Sequence, residues 1–276
     1  DGAGEAEAYA AADMVIGVKL TDANPKLSAR VFQVPGAGYD GVDLSVLPPE
    51  CTLCNCFGHE AAIAEYVMAA LLEGEKRLGA ALSTTGTTGD AAIAYGTLQG
   101  KVLAIAGFGA VGQEIAKRAL GFDMVLRSIR RSGPGMAEGV EFAPSLEALI
   151  DGADMMVIAL PQTEATTGAV NAALLAHATP HLHLINIARG SIVDQDALVD
   201  FLAANPLARA TLDVTTPEPL PDDHPLMTHP QARITPHIAW RNPDFRERNL
   251  LIFRETLAAL IAGAPLPGRV DPAQGY

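Results

Sequence analysis

"KVLAIAGFGAVGQEIAKRALGFDMVLRSIRRSG", residues 101–133, decides the fold. An apolar run of strand length meets a glycine-rich turn, then the helical pattern "VGQEIAKRALGF", then a second apolar run, "MVLRSI". Gly107, Gly109 and Gly112 stand in G-x-G-x-x-G order between strand and helix, the context in which this otherwise weak motif reads as a dinucleotide-binding turn. The first glycine permits the tight turn and the second lets the backbone approach a pyrophosphate. The third lets helix pack closely on strand, with the phosphates on the helix N-terminus.

Roughly twenty residues on, NAD-specific folds offer a carboxylate to the ribose 2′-hydroxyl. This chain places Arg130 and Arg131 there, with the Ser128 hydroxyl just before them. A carboxylate repels a 2′-phosphate; two guanidinium groups attract it through charge-assisted hydrogen bonds. The expected cofactor is therefore NADP(H), with NAD(H) as the second choice. The bland alternative is a solvated surface pair of arginines.

Working outward, the alternation continues. "SLEALIDG" precedes "DMMVIALP", "TGAVNAALLAHA" precedes "HLHLINIARG", "DQDALVDFLAAN" precedes "ARATLDV", and "PLMTHP" precedes "ARITPHIAW". The apolar runs are near-continuous, as strands buried on both faces must be. Strand–helix alternation of this kind predicts a doubly wound α/β parallel sheet of the Rossmann type. Before it, "MVIGV", "RVFQVPGAG" and "CTLCNC" read as strands, and "HEAAIAEYVMAALLEGEKRLGAAL" as one long helix. The last helix, "FRERNLLIFRETLAALIAG", is expected to pack back on this first part. The predicted domains are residues 1–82 with 245–276, smaller and discontinuous, and residues 83–244, the dinucleotide-binding unit. "STTGTTGD", residues 83–90, is the expected connection.

Composition narrows the function. The chain has 276 residues, 49% hydrophobic and 18% charged, with a net charge of −13, which argues against a nucleic-acid partner. No apolar run is long enough to span a bilayer and no signal-peptide pattern opens the chain. It begins at Asp1 without a Met, so residues are expected to precede it. All three cysteines, Cys51, Cys54 and Cys56, lie in one apolar segment, which suits a reducing, cytoplasmic compartment. Zinc would need a fourth ligand, and His181 and His183 alternate along a strand, so packing is the expected role and no metal is expected.

Ligands of open α/β sheets bind beyond the C-terminal ends of the strands. There the sequence delivers Arg189 after "LINIA", Asp213 and Glu218 after "ARATL", and His237 after "ARITP". Beside a nicotinamide these types fit keto acid reduction. An arginine clamps the carboxylate and polarises the carbonyl, a histidine supplies the proton, and a carboxylate orients the imidazole.

The stretches "VPGAGYDGVDL", "HEAAIAEYVMAALL", "LQGKVLAIAGFGAVGQEIAKRAL", "ALPQTEATTGAVN", "LINIARGSIVDQDAL", "LDVTTPEPLP" and "ITPHIAW" resemble, in order, the D-isomer-specific 2-hydroxyacid dehydrogenase family. The resemblance implies that Arg189 holds the substrate, that His237 is the acid/base and that Glu218 tunes it. It implies cofactor contacts from Ala110 and Val111 at the pyrophosphate. Leu160, Pro161, Thr166, Ile187, Ala188, Arg189, His237 and Ala239 would line the rest of the groove, with Asp213 at the nicotinamide carboxamide. Ala37 and Gly38 would receive the substrate carboxylate through their backbone, and Trp240 would help wall the pocket. It also implies a flavodoxin-like first domain, here short of its initial strand–helix unit, and a homodimer using the helix from Glu60. The arginines are similar to those of the family's NADPH-using glyoxylate and hydroxypyruvate reductases. The alternatives are a phosphoglycerate- or phosphite-type dehydrogenase, and an NAD(P)-sensing dimeric interaction protein on the same fold. For phosphoglycerate, extra basic residues beside "GAG" would be expected, and none is there.

Overall fold

In the sheet that carries the glycine turn, successive residues of each inner strand point to opposite faces, and both faces are covered. The computed structural model describes residues 3–77, 96–130 and 136–271. Along the chain run α1 (Ala3–Ala11), β1 (Met14–Ile16), β2 (Val31–Gln33), β3 (Thr52–Cys54), α2 (Glu60–Lys76), β4 (Val102–Ala106) and α3 (Ala110–Leu120). Then follow β5 (Val125–Ile129), β6 (Val140–Phe142), α4 (Leu146–Ile150), β7 (Met155–Ile158), α5 (Ala172–Leu175) and β8 (His183–Asn186). The last are α6 (Gln195–Ala204), β9 (Arg209–Leu212), α7 (Pro225–Thr228), β10 (Ala232–Ile234) and α8 (Phe245–Ala262).

Contacts divide these into two units, Glu60–Arg241 and the pair of segments Asp1–His59 and Asn242–Tyr276. The larger unit holds a seven-stranded parallel sheet in the order β10-β9-β8-β7-β4-β5-β6. Strand order reverses between β4 and β7, which makes their C-terminal ends the switch point where such sheets bind ligands. Ala104, Ala106, Met156, Ile158, Leu184 and Leu212 enter one core layer, under α4, α5 and α6. Leu103, Ile105, Met155, Val157 and Ile185 enter the other, under α2 and α3. Period-two alternation between two apolar layers explains why the strands read as unbroken hydrophobic runs.

The structure differs from the expected boundaries at α2. Its stripe of Ile63, Ala64, Val67, Met68 and Leu71 packs into the layer that holds Ile115, Ala116 and Ala119 of α3, so this helix belongs to the dinucleotide unit and not to the first domain. An apolar stripe at helical spacing says that a face is buried, but not against what. The segment at residues 83–90 lies outside the described residues.

The smaller unit has a three-stranded parallel sheet, β1-β2-β3. Its core gathers Leu20, Phe32, Val34, Val42, Leu53 and Val270. Gln33 is buried on the central strand and is fully used: Nε2 donates to Asn55 O at 3.0 Å, and Oε1 accepts from Thr256 of α8 at 3.0 Å. The last helix is thus joined to the first strands by a polar tie as well as by Leu260, which packs on Val31 and Cys54. Among the described residues no helix is long and apolar enough to cross a membrane.

Candidate active site

Gly107 opens the turn after β4 with φ +107°, and a Cβ there would lie 2.5 Å from Ala159 O. A Cβ on Gly112 would lie 2.1 Å from Gly107 O, so strand and helix meet there only because it has none. Gly109 is different. Nothing stands within 4 Å of its would-be Cβ, and it caps α3 without a side-chain hydrogen bond. Open space over an uncapped helix N-terminus, with Ala110 exposed and Val111 half-buried beside it, fits a pyrophosphate.

At the end of β5 one expectation fails. Ser128 is fully buried and its hydroxyl donates to Ile105 O at 2.7 Å. Its side chain is thus turned into the protein, with its proton given to the β4 backbone rather than to a ligand. Arg130, two residues later and exposed, lies with its guanidinium 5.3 Å from the ring centre of Phe142 on β6. Phe142 in turn meets Phe108 of the glycine turn edge-on, at 5.1 Å. Arg131 is outside the described residues.

Beyond β7, Leu160 and Thr166 are half-buried and Pro161 is exposed. The Thr166 hydroxyl donates to Pro161 O at 2.7 Å and accepts from Thr163 N at 2.8 Å, so it closes this loop on itself. Beyond β8, the buried Asn186 braces the turn that carries Arg189. Its Nδ2 donates to Arg189 O at 2.9 Å, and its Oδ1 accepts from Ala188 N at 3.1 Å. Ile187 is buried under this turn, and Arg189 is half-buried with one Nη donating to Ala188 O at 2.7 Å.

The loops after β9 and β10 are laced together. Asp213 is 2% exposed, and its Oδ1 accepts from Thr235 Oγ1 at 2.6 Å and from Ile238 N at 2.8 Å. Its Oδ2 accepts from Ala239 N at 2.9 Å, and its carbonyl from His237 N at 3.0 Å. Tyr66 of α2 joins the network, its hydroxyl 2.7 Å from Thr235 Oγ1; burial raises this phenol above its ordinary range. Between these contacts His237 takes φ +51°, an uncommon backbone for a residue with a Cβ. His237 Nδ1 stands 2.7 Å from Glu218 Oε1. With a carboxylate oxygen as acceptor the proton sits on Nδ1, leaving Nε2 as the nitrogen for a substrate.

Arg189, Asp213 and His237 therefore leave three adjacent parallel strands at one sheet edge, and Glu218 is brought onto His237. Such a set can hold an anion, orient an imidazole and move a proton. A family model described as "D-isomer specific 2-hydroxyacid dehydrogenase, NAD binding domain" matches residues 67–239. The chain belongs to the D-isomer specific 2-hydroxyacid dehydrogenases.

Within that family the chain is 37% identical over 177 residues to a glyoxylate/hydroxypyruvate reductase A of Serratia proteamaculans, covering 63% of this chain and 56% of that one. It is 33% identical to an Arabidopsis thaliana protein named D-3-phosphoglycerate dehydrogenase 2, chloroplastic, covering 85% of this chain and 38% of that one. The chain thus spans about half or less of the length of these curated relatives. Among solved structures, a Xanthobacter autotrophicus 2-hydroxyacid dehydrogenase in complex with NADPH and MES superposes with a TM-score of 0.77. It is 28% identical, with 90% of this chain and 79% of that one covered.

The remaining candidate residues are placed in one or the other unit. Ala37 and Gly38 follow β2 in the smaller unit, where Ala37 O accepts from Asn55 Nδ2 at 3.0 Å. Trp240 packs against the α2–α3 layer under the Arg241 guanidinium, 5.6 Å from its ring centre. His183 is buried with Nε2 2.9 Å from Thr211 Oγ1, and desolvation, with Arg209 and Lys101 adding to it, pushes its pKa down to about 3. Burial pushes each of the thiols of Cys51, Cys54 and Cys56 up to about 11, which keeps them unreactive near neutrality. Asn186 and Thr235 reach the site at the ends of β8 and β10, and Tyr66 through the packing of α2, a juxtaposition that no local sequence pattern shows.

Proposed function

We propose that the protein is an NADPH-dependent reductase of small 2-keto acids, with glyoxylate and hydroxypyruvate as the leading substrates. The observation that carries this reading is the 2.7 Å contact between His237 Nδ1 and Glu218 Oε1, at the sheet edge that also bears Arg189. When bound, a reduced nicotinamide supplies the hydride. Arg189 holds the keto acid by its carboxylate and draws charge onto the carbonyl oxygen. The imidazolium of His237 gives that oxygen its Nε2 proton, and the neutral ring that remains keeps its other proton on Nδ1, where Glu218 holds and orients it. Asp213 fixes the His237 backbone from beneath, in addition to any contact with the cofactor. Trp240 walls the pocket.

Gly107, Gly109, Ala110, Val111 and Gly112 would hold the pyrophosphate, and Leu160, Pro161, Thr166, Ile187, Ala188 and Ala239 the nicotinamide half. Arg130 and Arg131 favour NADPH over NADH. Charge-assisted hydrogen bonds of roughly 1.5–3 kcal/mol each allow a hundredfold preference or more. We also place the protein in the cytoplasm, where three free thiols stay reduced, and take it to act as a homodimer.

A second reading is favoured by the likeness to a phosphoglycerate dehydrogenase: oxidation of a phosphorylated hydroxy acid. One experiment separates the two. Initial rates are measured with glyoxylate, hydroxypyruvate, pyruvate and 3-phosphohydroxypyruvate, each with NADPH and NADH. Faster turnover of the unphosphorylated acids with NADPH is expected. Preference for the phosphorylated acid with NADH, or tight cofactor binding without turnover of any acid, would overturn the proposal.

A further inference from the structure

Glu218 has no secondary structure to hold it. It lies in the segment between β9 and α7, with its side chain 44% exposed. A carboxylate so placed samples many positions unless the backbone around it is pinned. The pin on one side is Leu220, which is 6% exposed and part of the core layer under α6. On the other side, two residues before Glu218, the backbone of Thr216 is held at both its polar groups by one side chain, Gln195.

The Gln195 carboxamide pairs with both backbone groups of Thr216. Nε2 donates to Thr216 O at 2.6 Å, and Oε1 accepts from Thr216 N at 2.9 Å. A primary amide is the side chain that can give and take a hydrogen bond at once in this way, imitating a strand neighbour. Gln195 is itself fixed as the first residue of α6, whose N-cap Asp194 accepts from Ala197 N at 3.1 Å and donates its own N–H to Val170 O at 2.9 Å. The turn that ends there begins at Arg189, and its Gly190 lies so close to Thr215 that a Cβ would fall 2.0 Å from the Thr215 carbonyl carbon. Thr215 Oγ1 completes the clamp by donating to Pro217 O at 2.9 Å. The residues that carry the guanidinium and those that carry the carboxylate are thereby held to one another by Gln195.

We infer that Gln195 is a positioning residue for the reaction, acting through the Thr216–Glu218 backbone to hold the Glu218 carboxylate on His237 Nδ1. The inference rests on the catalytic roles proposed above for Glu218 and His237. The test uses the whole chain and the variants Gln195→Met, of similar length but without hydrogen bonds, Gln195→Glu, which keeps the acceptor for Thr216 N–H, and Glu218→Gln. Two readouts are taken: steady-state kinetics with NADPH and glyoxylate, and the downfield proton NMR signal of the His237 ring N–H bound to a carboxylate. In Gln195→Met, kcat is expected to fall about ten- to a hundredfold, as small misplacements do. KM for NADPH should stay within about twofold, because the bonds of Gln195 go to Thr216, outside the pyrophosphate turn. The ring-proton signal should weaken toward that of Glu218→Gln, and Gln195→Glu should recover part of both.

A Gln195→Met protein with the wild-type signal overturns the inference, whether or not its kcat has fallen, since a fall would then arise elsewhere. If Gln195→Met does not fold, Gln195→Glu decides alone: a wild-type signal and rate, without its Thr216 O bond, count against the clamp. If Glu218→Gln itself leaves signal and rate unchanged, the underlying catalytic reading fails and the inference falls with it.

Discussion

Asp213 shows how much of this site depends on buried hydrogen bonds rather than on the reacting groups. Three donors, Thr235 Oγ1, Ile238 N and Ala239 N, end on its one carboxylate. Asp213→Ala leaves all three without that acceptor, at about 1–3 kcal/mol for each that water cannot reach. Urea unfolding is expected to show a loss of about 3 kcal/mol or more, with kcat reduced because the His237 loop is no longer held. A variant as stable as wild type would mean that the loop holds itself. At Arg189 the expectation concerns binding. Arg189→Lys keeps the charge but loses the fork that matches a carboxylate. Its KM for the keto acid should rise about tenfold or more with KM for NADPH little changed, and an unchanged keto acid KM would remove Arg189 from the substrate site. Residue types were legible in the sequence here: the guanidinium, carboxylate and imidazole could be named from their places after apolar runs. Directions were not. Position in the sequence groups Ser128 with the arginines, whereas in the fold its hydroxyl is buried and donates to Ile105 O.

At the scale of elements, β8 carries a device that acid should expose. His183 is buried between strands and α2, with desolvation as the main cause of its lowered pKa. In the unfolded chain this imidazole takes a proton near its ordinary 6.5, whereas in the fold it does so only near 3. The unfolded state therefore binds more protons across that window. Stability is complete above it and is lost as pH falls through it, by about 1.4 kcal/mol per unit. His183→Asn should flatten the acid side of the stability–pH curve by about that slope, measured by urea unfolding between pH 7 and about pH 5. Parallel curves for the two proteins would contradict the burial argument. The same strands explain what sequence reading could and could not recover. β4, β7, β8 and β9 were legible because both their faces are apolar. β6 was not, because Val140–Phe142 is three residues long, sits at the sheet edge and is only partly buried. Helix α2 was legible as a helix, but its allegiance depends on which layer its stripe meets.

Across the whole molecule, the distribution of charge matters more than its sum. With a net charge of −13, a 2′-phosphate has little reason to approach except at a local cationic feature such as Arg130 on its Phe142 platform. Arg130→Ala should raise KM for NADPH about tenfold or more while leaving KM for NADH nearly unchanged, and the gap should narrow in high salt. Equal effects on both cofactors would show that the guanidinium does not read the phosphate. Family membership and the parallel sheets reached the same architecture from independent directions, but cofactor choice and substrate depend on solution chemistry at a few side chains. The most direct measurement is NADPH oxidation with glyoxylate or hydroxypyruvate by wild type and His237→Asn at matched concentration, with NADPH binding measured on both. Steady consumption by wild type is predicted, with turnover lowered about two to four orders of magnitude in the variant and NADPH binding retained. Equal turnover by the two proteins would contradict the account.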